Sequence, residues 1–214
     1  MRIIAFASQK GGVGKTTLAG HLAVEAERQG VGPVALLDTD PQGSLAAWWN
    51  VRAAEVPVFV QGDLAKLKSQ LDQLATAGIN LVLIDTPPAI TENIAAVVRQ
   101  ADLVIIPTRP SPHDLRAVGA TVDLVEGTGK PMLFVVNGAT TRAKITGDAA
   151  IALSQHGTVA PVTIHQRVDF AVSMIDGRTA GELDRGSNST KEITDLWNYV
   201  NTRLSKGVKE AAHV

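Results

Sequence analysis

The chain of 214 residues is long enough for one domain built around one core, and 45% hydrophobic with 19% charged residues is a balance that excludes a disordered chain. The net charge of −1 is evenly spread, with nine Lys/Arg against ten Asp/Glu up to residue 110 and eleven of each after it, so global charge gives no pull toward nucleic acid. The absence of cysteine excludes disulfides, thiol catalysis and thiolate metal sites.

The sequence enters an apolar run, Ile3–Ala7, almost at once, which reads as a short buried strand and argues against a signal peptide. A glycine-rich stretch follows, Ser8-Gln9-Lys10-Gly11-Gly12-Val13-Gly14-Lys15-Thr16-Thr17, and then a helical pattern from Leu18. Strand, glycine loop and helix are the setting in which backbone N–H groups close around a phosphate. In that setting Lys15 reaches the β- and γ-phosphates and the Thr16 hydroxyl ligates Mg²⁺. The loop departs from the plain G-x-x-x-x-G-K-[ST] pattern, because Gln9 stands where glycine is usual and a second lysine, Lys10, opens it.

Val34–Asp38 reads as a second strand and Ser44 opens a helix bearing Trp48 and Trp49, which cannot share one helix face. One of the pair is expected in the core and the other at its rim or facing a partner. Val56–Val60 reads as a third strand, placed at a sheet edge by Pro57. Asp63 is expected to cap a helix with leucines at 64, 67, 71 and 74, closed by Gly78. Strands are further expected at 80–85, 103–106, 132–136 and 159–164. Helices are expected at 94–98, 115–125, 147–155, 167–175 and 190–204, with Gly177 and 181–187 as loop. Alternating helices and strands, the strands apolar on both faces, specify an α/β fold: a mostly parallel sheet with helices on both sides, in one domain over 1–214. Ligands in such folds sit beyond the C-terminal ends of the strands, where Lys10–Thr17, Asp38, Asp40, Asp85, Pro107 and Asn137 all fall.

Two carboxylates, Asp38 and Asp40, flank Thr39 at the end of the second strand. Asp38 can hold a magnesium-bound water and Asp40 can orient or deprotonate an attacking water. Both can equally cap the helix that follows, since Asp-Pro and Gln-Gly are turn chemistry. Asp85 ends an apolar strand and also suits the magnesium side, while Pro87 and Pro88 stiffen the next loop beside the γ-phosphate. The histidines at 21, 113, 156, 165 and 213 show no ligand spacing, so no metal beyond Mg²⁺ is expected.

Lys10-Gly11-Gly12-Val13-Gly14-Lys15-Thr16-Thr17, Asp38-Thr39-Asp40-Pro41-Gln42 and Asp85-Thr86-Pro87-Pro88 together resemble the ParA/MinD family of deviant-Walker P-loop ATPases. Leu103–Pro107 with Pro110-Ser111-Pro112, then Phe134–Asn137, Gln166-Arg167 and Gly177, extend the likeness to about residue 180. It is nearest to the short ParA-type proteins that lack an N-terminal DNA-binding domain. The resemblance implies a slow, partner-stimulated ATPase that forms a homodimer across two ATP molecules. Lys10 would then cross to the phosphates of the other subunit. Asp40 maps to the residue required for hydrolysis, Asp38 and Asp85 to the magnesium side, and Gly12 to a point where a side chain would jam the dimer. Asn137 maps to an adenine contact, with a simple turn residue as the plainer reading.

The same resemblance implies a cytoplasmic, nucleoid-associated protein that binds DNA without sequence preference in its ATP form. A ParB-like or small centromere-binding adaptor would stimulate it, and a plasmid or chromosome is the expected cargo. Arg142, Lys144, Arg167, Arg178, Arg185, Lys191, Arg203, Lys206 and Lys209 are candidate DNA contacts. Rival readings are a MinD-like positioning ATPase on a membrane surface and a DNA-transfer accessory protein of the same fold. No apolar run approaches the ~18 residues of a membrane span, and residues 205–214 lack the bulky apolar side chains of a surface anchor.

Overall fold

The computed structural model describes the backbone of residues 1–211 and the side chains of residues 1–205. The strands are β1 (Arg2–Phe6), β2 (Val34–Asp38), β3 (Val58–Gln61), β4 (Leu81–Asp85), β5 (Leu103–Thr108), β6 (Met132–Ala139) and β7 (Ile164–His165). They form one sheet in the order β3-β2-β4-β1-β5-β6-β7, with every neighbouring pair parallel. The helices are α1 (Lys15–Arg28), α2 (Ser44–Asn50), α3 (Leu67–Thr76), α4 (Glu92–Gln100), α5 (Pro112–Glu126), α6 (Lys144–Ser154), α7 (Val168–Ser173), α8 (Ala180–Leu183) and α9 (Asn188–Ala211).

Alternation along the strands sends side chains to two cores. Ile4, Phe6, Leu81 and Leu83 pack with Leu22 of α1, Trp48 of α2 and Trp197 of α9 on one face. Ala5, Val82 and Ile84 pack with Leu71 of α3, Val97 of α4, Val122 of α5 and Leu153 of α6 on the other. Burial on both faces is why these strands read as unbroken apolar runs, and each such Leu or Ile contributes roughly 1.5–3 kcal/mol. β3, which follows Pro57, pairs only with β2 and is an edge strand.

Trp48 is 2% exposed and donates its indole N–H to the Arg178 carbonyl. Trp49 is half-buried, stacks on Phe59 at 5.4 Å and donates to the Pro57 carbonyl. Asp63 does cap, accepting from Ala65 N–H, but a short 3-10 turn at Leu64–Lys66 precedes α3.

Two segments differ from the sequence expectation. The strand expected at 159–164 is split: Val159 makes an isolated bridge to Phe134, and only Ile164–His165 form β7. Pro161 stands between them and has no N–H for a ladder. The loop expected at 181–187 begins inside a one-turn helix, α8, opened by a capping box between Thr179 and Glu182. Lys206, Lys209 and the rest of the tail on which the membrane reading turned lie outside the residues whose side chains are described. Among the described residues no helix is long and apolar enough to cross a membrane.

Candidate active site

β1 stops at Phe6 and α1 starts at Lys15, so residues 7–14 form a loop above the sheet edge of β1. Gly14 caps α1 with φ 97°, and Gly12 has φ 72°, both in the left-handed region that favours glycine. The first turn of α1 has no side-chain cap and no acidic residue. Its free N–H groups and the positive end of its dipole therefore remain for an anion. The loop is tied down from outside: Gln9 N–H donates to Thr121 Oγ1 at 3.1 Å, and the Asn137 amide donates to the Val13 carbonyl at 2.5 Å. A Cβ on Gly14 would lie 2.2 Å from that amide nitrogen, whereas one on Gly12 meets nothing within 4 Å among the described residues. Gly14→Ala should therefore both strain the loop and dislodge Asn137. The expected result is a loss of about 1–3 kcal/mol in urea unfolding together with at least tenfold weaker nucleotide binding.

Beneath the loop lies a cluster of opposite charges. Lys15 is 6% exposed, and its Nζ donates to the Lys10 carbonyl at 3.4 Å. Burial lowers the Lys15 pKa from its ordinary value, and the charges of Asp85 and Asp40 oppose that drop. Burial pushes the Asp85 carboxyl up to about 7. The Thr16 hydrogen bond and the Lys15 charge oppose the rise, and the Asp38 and Asp40 charges add to it. Thr16 Oγ1 donates to Asp85 Oδ2 at 2.5 Å, which leaves the hydroxyl lone pairs free for a cation. Asp85 Oδ1 is buried with no hydrogen-bond partner among the described residues. An orphaned carboxylate oxygen of this kind calls for a donor or a cation beside it. The donor set of hydroxyl and carboxylate oxygens fits Mg²⁺, and the glycine loop with Lys15 fits the phosphates of a nucleotide.

The two carboxylates left open by the sequence separate here. Asp38 is fully buried, and both its oxygens accept from backbone N–H groups, Oδ1 from Asp40 and Oδ2 from Ala46 in the first turn of α2. It acts as a cap, and burial raises its pKa although those N–H bonds pull the other way. Its backbone pairs in register with Asp85, and the Asp85 carbonyl accepts from both Thr39 N–H and Thr39 Oγ1. Asp40 lies on the other side of that turn. One of its oxygens accepts from Gln42 N–H at 2.9 Å, and the other takes no hydrogen bond among the described residues.

A cleft of about 540 Å³ opens above these groups. Gly11, Gly12, Gly14, Lys15, Thr16, Thr17, Asp40 and Asn137 line it, as do Pro88, Arg109, His165, Arg167 and Phe170. Val13, Asp38 and Asp85 lie behind that wall. Lys10 is half-buried at the loop entrance and does not line the cleft. Asn137 faces the cleft with its amide committed to the loop.

Sequence reasoning missed His21, which is 1% exposed on α1. Its Nδ1 donates to the Thr17 carbonyl, and Nε2 accepts from Ala180 N–H at 3.1 Å. With Phe170 edge-on at 5.2 Å, it bolts the phosphate-side helix to α7 and α8. Burial drives its pKa down to about 4, so it is a neutral strut. Arg109 was also missed; its guanidinium lies against Gly138, 3.5 Å from where a Cβ would stand. Neither residue sits in a motif, and only the folded geometry places them.

A family model described as the CobQ/CobB/MinD/ParA nucleotide binding domain matches residues 4–190. The maintenance of carboxysome distribution protein A of Halothiobacillus neapolitanus is 29% identical over 209 residues, covering 92% of this chain and 95% of its own. The protein of the same description from Gloeobacter kilaueensis is 42% identical over 139 residues, 62% of each chain. Among solved structures, the septum site-determining protein MinD of Pyrococcus horikoshii OT3, complexed with Mg-ADP, superposes with a TM-score of 0.79. That match is 17% identical and covers 96% of this chain and 98% of that one, a likeness of fold. With its all-parallel sheet, its glycine loop over a Lys-Thr-Asp cluster and a match along most of its length, the chain belongs to the CobQ/CobB/MinD/ParA nucleotide-binding domain family.

Proposed function

We propose that the chain is a single-domain ATPase of the cytoplasm that dimerises on ATP. In that state it binds DNA without sequence preference, and it releases DNA after adaptor-stimulated hydrolysis. The observation that carries the ATPase reading is the cluster of buried Lys15 and Asp85 with half-buried Thr16 under the glycine loop, with one Asp85 oxygen lacking a partner among the described residues. The loop N–H groups and Lys15 bind the phosphates. Thr16 and Asp85 provide the magnesium side, with the Asp38 charge behind them. Mg²⁺, when bound, neutralises charge on the phosphate oxygens. Asp40 accepts a hydrogen bond from the attacking water and then its proton. Lys10, outside its own cleft, reaches the phosphates of a second subunit and offsets the repulsion between two facing triphosphates.

For DNA, the structure favours the exposed cations that no carboxylate claims. Arg167 pairs with Glu192 and Arg178 with Asp176. Arg142, Lys144, Arg185 and Lys191 are exposed and form no ion pair among the described residues. The cargo is a plasmid or chromosome carried through a ParB-like or small centromere-binding adaptor. The names of the relatives from Halothiobacillus and Gloeobacter add a protein body to that range.

The test is retention of the ATP-loaded protein on random-sequence DNA. Binding should depend on ATP, fall at least tenfold between low and high salt, and be lost in Lys10→Ala, which should remain a nucleotide-binding monomer by light scattering. Equal affinity with ADP, salt-independent binding, or a stable Lys10→Ala dimer would each overturn the reading.

A further inference from the structure

From β1 the sheet continues through β5 and β6 to β7. At roughly 4.8 Å per strand, the β7 end lies about 14 Å from the strand that carries the glycine loop. The cleft runs the same way, from the loop and Lys15, past Asn137 and Gly138 at the end of β6, to His165 on β7. A register shift between Asn137 and Ala139, with Gly138 at φ 65°, bends β6 at this point. Ile164, Phe170 and Met174 give the far end an apolar wall suited to a flat ring. A nucleotide with its phosphates in the loop would lay its base there.

His165 sits at that end in a fixed orientation. Its backbone N–H donates to Glu192 Oε2 at 3.1 Å and its Nδ1 to Glu192 Oε1 at 2.8 Å. A carboxylate only accepts, so Nδ1 carries the hydrogen. In the neutral ring Nε2 then presents a lone pair, and it has no hydrogen-bond partner among the described residues. Arg167 donates to the same Glu192 oxygen at 2.6 Å and balances its charge.

We propose that Glu192 fixes His165 as the group that reads the nucleotide base, and that its Nε2 acceptor selects a purine with a 6-amino group over one with a 6-carbonyl. This rests on the nucleotide-site reading above and extends it to base selectivity. An amine donates to Nε2, whereas a carbonyl would set two acceptors against each other and leave both unpaired. Glu192 is the positioning residue, since it acts only through His165.

The test is equilibrium binding of the whole chain to ATP, GTP and purine riboside triphosphate, which carries only hydrogen at the 6-position, all with Mg²⁺. The wild type should bind ATP about tenfold more tightly than purine riboside triphosphate and about 100-fold more tightly than GTP. His165→Ala should bring ATP and purine riboside triphosphate within about twofold of each other, mainly by weakening ATP. Glu192→Gln keeps the imidazole and frees its tautomer, and should narrow the same ratio to about threefold; it decides the matter if His165→Ala does not fold. A lost folding contact would weaken every nucleotide alike, so the ratio isolates base reading. An unchanged ratio in the folded variants overturns the proposal and leaves the nucleotide site standing. A wild type that binds none of the three overturns both.

Discussion

Asp40→Ala should reduce ATP turnover by at least about 100-fold while leaving ATP binding within about threefold. The asymmetry follows from where the carboxylate stands. Asp40 lines the cleft, and Gln42 N–H holds one of its oxygens at 2.9 Å. The second oxygen is uncommitted among the described residues, so it is aimed by the turn and still able to accept a proton. Removing it takes no hydrogen bond from the loop, from Lys15 or from the Thr16–Asp85 pair, which together hold the phosphates in this reading. Binding should also gain slightly, because the Asp40 charge adds to the buildup that raises the Asp85 pKa. Phosphate release at saturating ATP, with adaptor present, measures the first quantity, and equilibrium dialysis measures the second. Turnover at the wild-type rate would remove Asp40 from the mechanism. A parallel collapse of binding would show instead that its loss deforms the turn at 40–43.

The sequence patterns reached the sheet, both helical layers and the glycine loop because each is written locally. Leu81–Ile84 is apolar at every position, since both its faces are covered, and the leucines at 67, 71 and 74 repeat at the helical period. The pair Asp38 and Asp40 marks where local reading stops. Both suit a cap and both suit catalysis, and only the hydrogen bond from Ala46 N–H to Asp38 assigns the cap to one of them. The far end of the cleft was legible only through the family-like pair Gln166-Arg167. His165 on β7 depends on Glu192, 27 residues away on α9, and His21 depends on Ala180, 159 residues away. No periodicity records such partners. The split of the expected strand at 159–164 was, by contrast, available in Pro161, and α8 was available in the spacing of Thr179 and Glu182.

The second large effect concerns stability, and it has the opposite sign to a simple loss of contacts. Asp85→Asn should stabilise the ligand-free protein by roughly 2–4 kcal/mol at pH 8 and by less than about 1 kcal/mol near pH 4.5. In the unfolded chain Asp85 ionises near its ordinary value of 3.8, whereas burial in the folded chain pushes it up to about 7. Between those values the folded state holds the proton that the unfolded state has released. Stability therefore falls as pH rises through this window, and above about pH 7 the full cost of a buried carboxylate remains. Asparagine carries no charge to desolvate, and its amide oxygen can still accept from Thr16, so the 2.5 Å bond keeps an acceptor. What it loses is the anionic oxygen beside the orphaned position. Magnesium-dependent ATP binding should consequently weaken by at least tenfold, and Mg-ATP should raise the stability of the variant less than that of the wild type. Urea unfolding at the two pH values, with and without Mg-ATP, reads all of this in one series. A variant less stable than the wild type at pH 8 would mean that the Asp85 carboxylate contributes to the resting fold. The expected pattern would mean that its burial is a strain the fold carries to bind the cation.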